Sequence, residues 1–334
     1  MRPLSVPIKV SLDVTSHCLL RCRHCRVGEM GSHHALALDE ILHILDDLAD
    51  MQIYRIALSG GEPFLREDLV EIIRHALEVC PGRVFVSTSG LLLTEDILTA
   101  LYRLRSRLTF KISLDGPPLV HDSIRGREGV FRVTYNAIVE CVRRDFDIQV
   151  TTTLMHDNVS SIDEVLELVR LTGCSRHYLV ELIPVGRANR QMILTRRERL
   201  QALKTIICAK KQIEREGYSI VARIPFANGK SGGLTCGGGI SECGILSDGQ
   251  VVGCRLLPQW TAGNVLERPL SRIWADPNAF SEFRQLTAQS CGEACAGCPS
   301  VESCRGGCRA YAVGMTGDLY APDSRCPIVC PDRE

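Results

Sequence analysis

Short β-branched runs alternate with amphipathic helical patterns from Ile8 to about Phe226, and this alternation limits the possible folds more than any other feature. Six strand–helix repeats in that order predict a parallel sheet, because each crossover between parallel strands takes about a dozen residues or more. Six repeats fall short of the eight that close a barrel. We therefore predict an α/β fold built on a partial (β/α)6 barrel of the TIM type. The predicted strands are Ile8–Val14, Ile53–Leu58, Arg83–Val86, Leu108–Leu114, Ile148–Thr153 and His177–Ile183.

The helical patterns and the change of composition after Asn228 predict two domains. Leucines and isoleucines recur at the spacing of one helix face between Leu38 and Leu48, and again between Leu69 and Leu77. A longer helical segment, about 196–216, follows the sixth strand. The remaining chain is rich in Gly and Cys and could bury little core, so bound metal would be its main source of order. We predict a barrel domain over residues 1–228 and a small cysteine-rich domain over 229–334.

The charge balance and the N-terminus exclude several classes of protein. With 39 basic and 39 acidic residues, the chain has no overall field that favours a phosphate backbone, so no nucleic-acid partner is expected. No uncharged apolar run approaches the ~18 residues that span a bilayer. Met1 to Val10 also lacks the apolar core of a signal peptide. We therefore expect a cytoplasmic protein that does not associate with membranes.

The chain contains 17 cysteines, and ten of them follow residue 228. Disulfides are rare in a reducing compartment, and an odd total does not suit a fully paired disulfide framework. Thiolates that bind metal are the better interpretation. Cys80, Cys141, Cys174 and Cys208 fall within predicted helices, strands or their edges, where core packing is the expected role.

Cys18, Cys22 and Cys25 form a C-x3-C-x2-C triplet directly after the first strand. Three thiolates leave one iron of a four-iron cubane open to an external ligand, which is chemically useful. The alternative is a zinc site in which His17 or His24 is the fourth ligand.

The tetrapeptide Gly60-Gly61-Glu62-Pro63 stands at the carboxyl end of the second strand, the same end as the triplet. Glycines there allow the backbone to approach a ligand, and a carboxylate can receive an ammonium group. A charge-assisted hydrogen bond of that kind is worth about 1.5–3 kcal/mol. Its place beside the triplet favours a cosubstrate site over an ordinary turn.

Together, Cys18-Leu-Leu-Arg-Cys22-Arg-His-Cys25 and Gly60-Gly-Glu-Pro63 resemble the radical S-adenosylmethionine (SAM) superfamily. In that family the triplet holds a [4Fe–4S] cluster whose fourth iron is chelated by the amine and carboxylate of SAM. The resemblance implies cluster ligands at the three cysteines and SAM contacts at Gly60, Gly61 and Glu62. The family prefers an aromatic residue before the third cysteine, where this chain has His24.

Further strand ends carry the same resemblance. The segment that ends in Ser113-Leu-Asp115 is similar to the family's S-x-D segment near the ribose and carboxylate of SAM. Arg125 follows in a loop whose arginine often steadies the SAM carboxylate. Thr88 stands where the family often has Thr-Asn-Gly, and Pro184 begins a segment similar to the one that passes the adenine. These five residues are therefore further implied SAM contacts.

The C-terminal cysteines resemble the SPASM extension of that superfamily, with C-x12-G-x4-C from Cys236 to Cys254 and C-x2-C-x5-C-x3-C from Cys295 to Cys308. Family topology implies two auxiliary [4Fe–4S] clusters. Two zinc sites of four thiolates each are the alternative. Cys291 and Cys330 are neighbours that could replace a ligand. The implied ligands are Cys236, Cys243, Cys254 and Cys308 for the first auxiliary cluster, and Cys295, Cys298, Cys304 and Cys326 for the second.

The resemblance implies an enzyme with three [4Fe–4S] clusters that cleaves SAM reductively to a 5′-deoxyadenosyl radical, which abstracts hydrogen from a substrate. SPASM proteins mostly modify peptides, so we expect a ribosomally made peptide and an oxidative change such as a crosslink. A low-potential donor of the flavodoxin or ferredoxin type is expected, and a separate leader-peptide-binding protein, because the first strand begins within ten residues of the start. Alternatives are a small-molecule substrate (tetrapyrrole, quinone-cofactor or aminoglycoside precursor) and, remotely, a non-catalytic electron carrier. No catalytic acid or base can be assigned.

Overall fold

A computed structural model describes residues 3–27, 35–213, 218–226, 236–287 and 289–329. Its strands are β1 (Lys9–Thr15), β2 (Arg55–Gly60), β3 (Arg83–Thr88), β4 (Leu108–Ser113), β5 (Asp147–Leu154), β6 (Arg176–Glu181), β7 (Ser219–Arg223), β8 (Glu242–Ile245), β9 (Gln250–Val252) and β10 (Thr261–Asn264). They form one ten-stranded sheet in the order β10-β9-β8-β1-β2-β3-β4-β5-β6-β7.

Helices connect the strands and cover the sheet, and short 3-10 turns precede or follow several of them. The α-helices are α1 (Leu38–Asp50), α2 (Leu69–Val79), α3 (Glu95–Leu101), α4 (Pro118–Arg125), α5 (Val130–Arg143), α6 (Ile162–Leu171), α7 (Arg196–Ile213), α8 (Leu270–Ala275), α9 (Ser281–Arg284), α10 (Glu293–Ala296), α11 (Val301–Cys304) and α12 (Arg309–Thr316). The 3-10 turns are Pro63–Leu65, Tyr102–Arg107, Val159–Ser161, Arg190–Met192 and Gln289–Cys291.

Strands β1 to β7 pair in parallel with their sequence neighbours, and the six predicted strands are all present. The predicted partial barrel is therefore confirmed. The amphipathic helices face this sheet as their periodicity requires: α1 buries Ile41, Leu45 and Leu48. Burying one such side chain is worth about 1.5–3 kcal/mol. The predicted segment 196–216 appears as α7, and its last three residues lie outside the described part of the chain.

The sheet continues across the predicted domain boundary at residue 228. Strand β8 pairs in parallel with β1 from Lys9–Glu242 to Leu12–Ile245, and Lys9 Nζ also lies 2.8 Å from a Glu242 carboxylate oxygen. Between β8 and β9 the chain reverses at Gly249, whose φ of 83° suits glycine. The two-domain division stays a prediction, since the C-terminal cysteine segment is built onto the barrel's first strand. Among the described residues, every helix is too short or too polar to cross a lipid bilayer.

Candidate active site

A cavity of about 600 Å³ opens at the carboxyl ends of the parallel strands, the end at which barrel enzymes place their active sites. Its wall includes residues 16–18, 20–22 and 24–27 of the loop that follows β1, here called the cysteine loop. The wall also includes the turn after β2, the ends of β3 to β6 and Leu256 of the C-terminal segment. Cys18, Cys22 and Cys25 all lie on it. Burial raises the pKa of Cys18 and Cys22 above the ordinary thiol value.

Gly60 and Gly61 hold the turn after β2 against the cysteine loop. A Cβ atom at Gly60 would lie 2.0 Å from the carbonyl oxygen of Thr15, and one at Gly61 would lie 2.0 Å from that of His17. The Gly61 amide donates to Thr15 at 2.8 Å, and the Glu62 amide donates to His17 at 2.7 Å. Both glycines also line the cavity. Their first physical role is thus to admit the neighbouring backbone, and contact with SAM remains the predicted second role.

The Glu62 carboxylate is 2% exposed and is held by the end of β3. Thr88 Oγ1 donates to one oxygen at 2.7 Å, and the Ser89 amide and hydroxyl donate to the other at 2.9 and 2.5 Å. Among the described residues, no Lys, Arg or His side chain forms an ion pair with it. A buried charge without a counter-ion is costly. This carboxylate at the cavity wall therefore fits the ammonium of SAM. The sequence analysis missed Ser89, which donates two hydrogen bonds to the Glu62 carboxylate.

Arg125 and Asp115 form a buried ion pair behind the triplet. Arg125 Nη2 lies 2.7 Å from an Asp115 oxygen, while Arg125 Nη1 lies 3.7 Å from Cys22 Sγ. Burial alone would raise the Asp115 pKa, but the Arg125 guanidinium outweighs it and holds that pKa below the usual value. Ser113 and Arg125 line the cavity, whereas Asp115 does not. Asp115 thus holds Arg125 in place from behind the wall, and its implied contact with SAM stays a prediction.

His24 lies on the cavity wall, whereas Pro184, an implied SAM contact, does not. His24 lines the cavity with its Nε2 atom 3.8 Å from Asp115, and burial lowers its pKa. Pro184 lies outside the wall, because its carbonyl packs against Gly314 of α12, where a Cβ would be 2.3 Å away. Its neighbour Val185 lines the cavity instead. Arg187, which the sequence analysis did not single out, lines it too and donates from Nε to the Cys22 carbonyl at 3.1 Å.

The four cysteines implied for the first auxiliary cluster share the wall of a second cavity, of about 470 Å³. Burial raises the pKa of Cys243 and of Cys254 to about 12. Among the described residues, no three Cys, His, Asp or Glu side chains surround one point closely enough to hold a single ion. A cubane spreads its ligands over four irons, so the shared cavity is the relevant test, and these thiols fit it. The four are Cys236, Cys243, Cys254 and Cys308.

The four cysteines implied for the second auxiliary cluster line one apolar cleft between short helices. The cleft holds about 20 Å³, room for about one water molecule, so a cubane would have to spread these segments. Cys291 lies outside the wall of the cleft: it is fully buried, and its thiol points to the Arg305 carbonyl at 3.7 Å. Cys330 lies outside the described residues. The cleft cysteines are Cys295, Cys298, Cys304 and Cys326.

The remaining cysteines behave as predicted in three cases out of four. Cys80, Cys141 and Cys174 are buried in the core. Cys208 is exposed on α7, so the core expectation was wrong there. It lies on the helix face opposite the buried Leu203 and Ile206, a distinction that helical periodicity could have made.

A charged bridge joins the cysteine loop to the C-terminal segment. Asp13 of β1 accepts from Arg26 Nη2 at 2.8 Å and from Arg255 Nη1 at 2.6 Å. Arg26 follows Cys25 directly, and Arg255 follows Cys254 directly. The bridge lies where the cavity beside the cysteine loop meets the cavity of the first auxiliary cysteines, since Arg26 lines both.

Comparisons with known proteins agree with this geometry. Residues 12–169 match the Radical SAM superfamily, and residues 236–299 match the iron–sulfur cluster-binding SPASM domain. The chain is 30% identical to the AdoMet-dependent heme synthase of Methanosarcina barkeri, over 96% of this chain and 97% of that protein. It is also 30% identical to the mycofactocin maturase MftC of Mycobacterium tuberculosis, over 97% of this chain and 84% of that protein.

Among solved structures, Streptococcus suis SuiB bound to S-adenosylmethionine superposes with a TM-score of 0.82 at 16% identity, covering 97% of this chain and 78% of SuiB. The same protein bound to its precursor peptide SuiA gives a TM-score of 0.81. The two matched domains imply iron–sulfur clusters and SAM as cofactors. The chain therefore belongs to the radical SAM superfamily, as an enzyme with a SPASM domain.

Proposed function

We propose that this enzyme uses SAM to install an oxidative modification, such as a crosslink, in a ribosomally made peptide. The observation that supports a peptide substrate is the charge balance inside two cavities, the one beside the cysteine loop and the one lined by the first auxiliary cysteines. Most cations on their walls already have a carboxylate partner within the protein, which suits a substrate segment of low net charge.

The proposed cofactor set is three [4Fe–4S] clusters and one SAM. A cluster held by Cys18, Cys22 and Cys25 would supply the electron that breaks the sulfur–C5′ bond of SAM, and the resulting radical would take hydrogen from the substrate. The protein's own part is to orient and to exclude water. Glu62 would receive the SAM ammonium, while Arg187, together with Arg125 in its ion pair with Asp115, provides positive charge beside the cysteine loop for the SAM carboxylate.

Ion pairs account for most of the cations on these walls. Arg125 pairs with Asp115, Arg26 and Arg255 pair with Asp13, Lys9 pairs with Glu242, and Arg325 pairs with Asp323. Breaking such a buried pair to bind a substrate carboxylate would leave the original partner uncompensated. A substrate with several carboxylates would therefore gain little in these cavities, whereas peptide backbone and neutral side chains would find hydroxyl groups such as Ser113 and Thr153.

The two cavities together suit an extended segment. They share wall residues, among them Val180, Glu181 and Leu256, so the space runs from the SAM region towards Cys254. A peptide threaded through it would bring a side chain to the SAM region while its neighbours approach the first auxiliary cysteine set. A [4Fe–4S] cluster held by that set would supply the electron acceptor for the substrate radical, which would make the net reaction an oxidation.

A tetrapyrrole is the second candidate, because the M. barkeri relative named above is an AdoMet-dependent heme synthase and matches this chain over nearly its full length. An iron tetrapyrrole that carries propionates would have to find cations outside the pairs just described. Arg21 and Arg223, exposed on the rims of the two cavities, are the candidates for that role.

The test is anaerobic turnover. The reconstituted enzyme, dithionite and SAM are incubated either with peptides encoded beside the gene or with iron coproporphyrin, and the products are read by mass spectrometry and by 5′-deoxyadenosine release. We expect 5′-deoxyadenosine with peptide and a peptide mass loss of about two hydrogens for each crosslink.

The control is the Cys18→Ala variant, which keeps both auxiliary cysteine sets and should release no 5′-deoxyadenosine. Decarboxylation of the tetrapyrrole with no change in any peptide would overturn the peptide proposal in favour of the second candidate. Absence of 5′-deoxyadenosine from cluster-loaded enzyme with every substrate would contradict the proposed reaction itself.

A further inference from the structure

Helix α7 carries a concentration of positive charge that the active site does not use. Its 18 residues include six Lys or Arg and a single acid, in a chain whose total charge is zero. The one acid, Glu198, accepts a hydrogen bond from the Thr195 hydroxyl at 2.9 Å and lies 2.7 Å from His156 Nδ1. Extending the count to Gly217 adds two Glu and one Arg and leaves a surplus of four positive charges.

The basic residues form a regular stripe on the outer face of the helix. Arg197, Lys204 and Lys211 are all exposed and stand seven residues apart, which places them about 10 Å from one another along one face. None of the three has an ion-pair partner among the described residues. We call this face the α7 stripe. It is the reverse of an ordinary solvated helix surface, where acids and bases alternate and neutralise each other.

An apolar stripe runs beside the basic one. Leu200 and Ile207 are 48% and 47% exposed and are likewise seven residues apart, whereas Leu203 and Ile206 on the inner face are buried. Exposed apolar side chains rimmed by charge are typical of protein interaction sites. The combination indicates a partner with acidic groups and some apolar surface.

The position of α7 indicates which partner. A cavity of about 500 Å³ separates its first turns from Ser324, Arg325 and Pro327, which flank Cys326 in sequence. Phe226 lines both this cavity and the cleft of the second auxiliary cysteine set. A protein docked on the α7 stripe would therefore stand beside that cysteine set rather than beside the SAM cavity.

We propose that the α7 stripe is the docking surface for an acidic, low-potential electron-transfer protein of the flavodoxin or ferredoxin class, which would deliver electrons to the cluster that the second auxiliary cysteine set would hold. The inference rests on the family's reductive cleavage of SAM, which consumes one electron: the donor loses that electron, the enzyme gains it, and no bond changes in the transfer. Electron-transfer encounters of this kind are small and charge-driven. The stripe's charge and size suit such an encounter.

The test compares two reductants. Lys204→Glu/Lys211→Glu is set against the control Arg74→Glu/Arg132→Glu, which makes the same charge change at exposed residues of α2 and α5. Both variants and the wild type are loaded with clusters, and 5′-deoxyadenosine is measured with dithionite and with a reduced acidic flavodoxin. Binding of oxidised flavodoxin is measured separately by biolayer interferometry.

We expect the α7 variant to lose tenfold or more in flavodoxin association rate and flavodoxin-driven turnover at low salt, with dithionite-driven turnover unchanged. Electrostatic steering raises association rates by about 10–10³-fold. The difference in association rate between the α7 variant and the wild type should therefore vanish at high salt, where charges are screened within a few ångströms. The control should match the wild type. Equal loss in both variants, or no loss in either, would overturn the docking site.

A different failure would identify a different occupant. If the α7 variant raises the KM for a peptide substrate under dithionite while flavodoxin binding is unchanged, the stripe binds an acidic substrate segment and the electron-donor proposal is wrong. Absence of 5′-deoxyadenosine in the wild type with dithionite would instead contradict the proposed reaction, so the two proposals fail separately.

Discussion

Replacing Asp13 with Asn should destabilise the enzyme strongly, because this buried carboxylate balances two guanidinium groups that are largely withdrawn from water. Asp13 is 4% exposed, and the Arg26 and Arg255 side chains are only 20% and 23% exposed. The amide keeps the shape of the carboxylate but removes its charge. Both arginines would then remain desolvated and would repel each other.

The magnitude follows from breaking a buried ion pair by removing one partner, which costs about 3–5 kcal/mol. Unfolding entropy of about 2.1 cal/mol/K per residue gives about 0.7 kcal/mol/K for a chain of this length. The melting temperature should therefore fall by about 4–7 °C. Asp147→Asn is the matched control, since Asp147 also joins two arginines, Arg83 and Arg176, but these are 38% and 40% exposed. Exposed pairs are worth up to about 1 kcal/mol each, so its loss should stay below about 3 °C.

The pH dependence makes the prediction sharper. Burial raises the Asp13 pKa, but Arg255 and Arg26 outweigh burial and lower the pKa below 3.8. A lowered folded-state pKa means that the stabilisation is fully present above the unfolded value of about 3.9 and is lost only as pH falls through the folded value. The gap in melting temperature between wild type and Asp13→Asn should therefore be constant from pH 8 to pH 5. Anaerobic scanning fluorimetry on cluster-loaded protein measures it. A gap no larger than that of Asp147→Asn, or one that closes by pH 6, would refute the reasoning.

Three further predictions concern the cysteine sites and their surroundings. Gly61→Ala should lower the iron content and the melting temperature together, because the new Cβ would lie 2.0 Å from the His17 carbonyl oxygen and must displace the cysteine loop. An iron content equal to that of the wild type would contradict this. Glu62→Gln should raise the KM for SAM about tenfold at unchanged iron content, since it removes a charge-assisted hydrogen bond. An unchanged KM would show that the Glu62 carboxylate does not bind the SAM ammonium. Cys326→Ser should lose about four of the proposed twelve irons, whereas Cys291→Ser should lose none, and the reverse result in metal analysis would exchange their roles.

The periodicity of the sequence determined the barrel because strands that are buried on both faces and helices with one apolar face have few ways to combine. The six predicted strands and the leucine faces of α1 and α2 needed no tertiary information. The cysteine triplet and the Gly-Gly-Glu-Pro segment could also be recognised from the sequence alone, since their spacing along the chain reflects a chemical requirement.

What only the tertiary structure decided depends on contacts between residues far apart in sequence. Strand β8 has too few residues and too many small ones to predict alone; it exists because β1 offers it a free edge. The family resemblance implied SAM contacts at Asp115 and Pro184, and the structure shows Asp115 paired with Arg125 and the Pro184 carbonyl packed against α12. The bridge of Asp13 to Arg26 and Arg255 spans 242 residues, and the exposed stripe of α7 became visible once packing had fixed which face of the helix is covered. Short-range patterns specify elements, while partners and exposed faces are properties of the assembled fold.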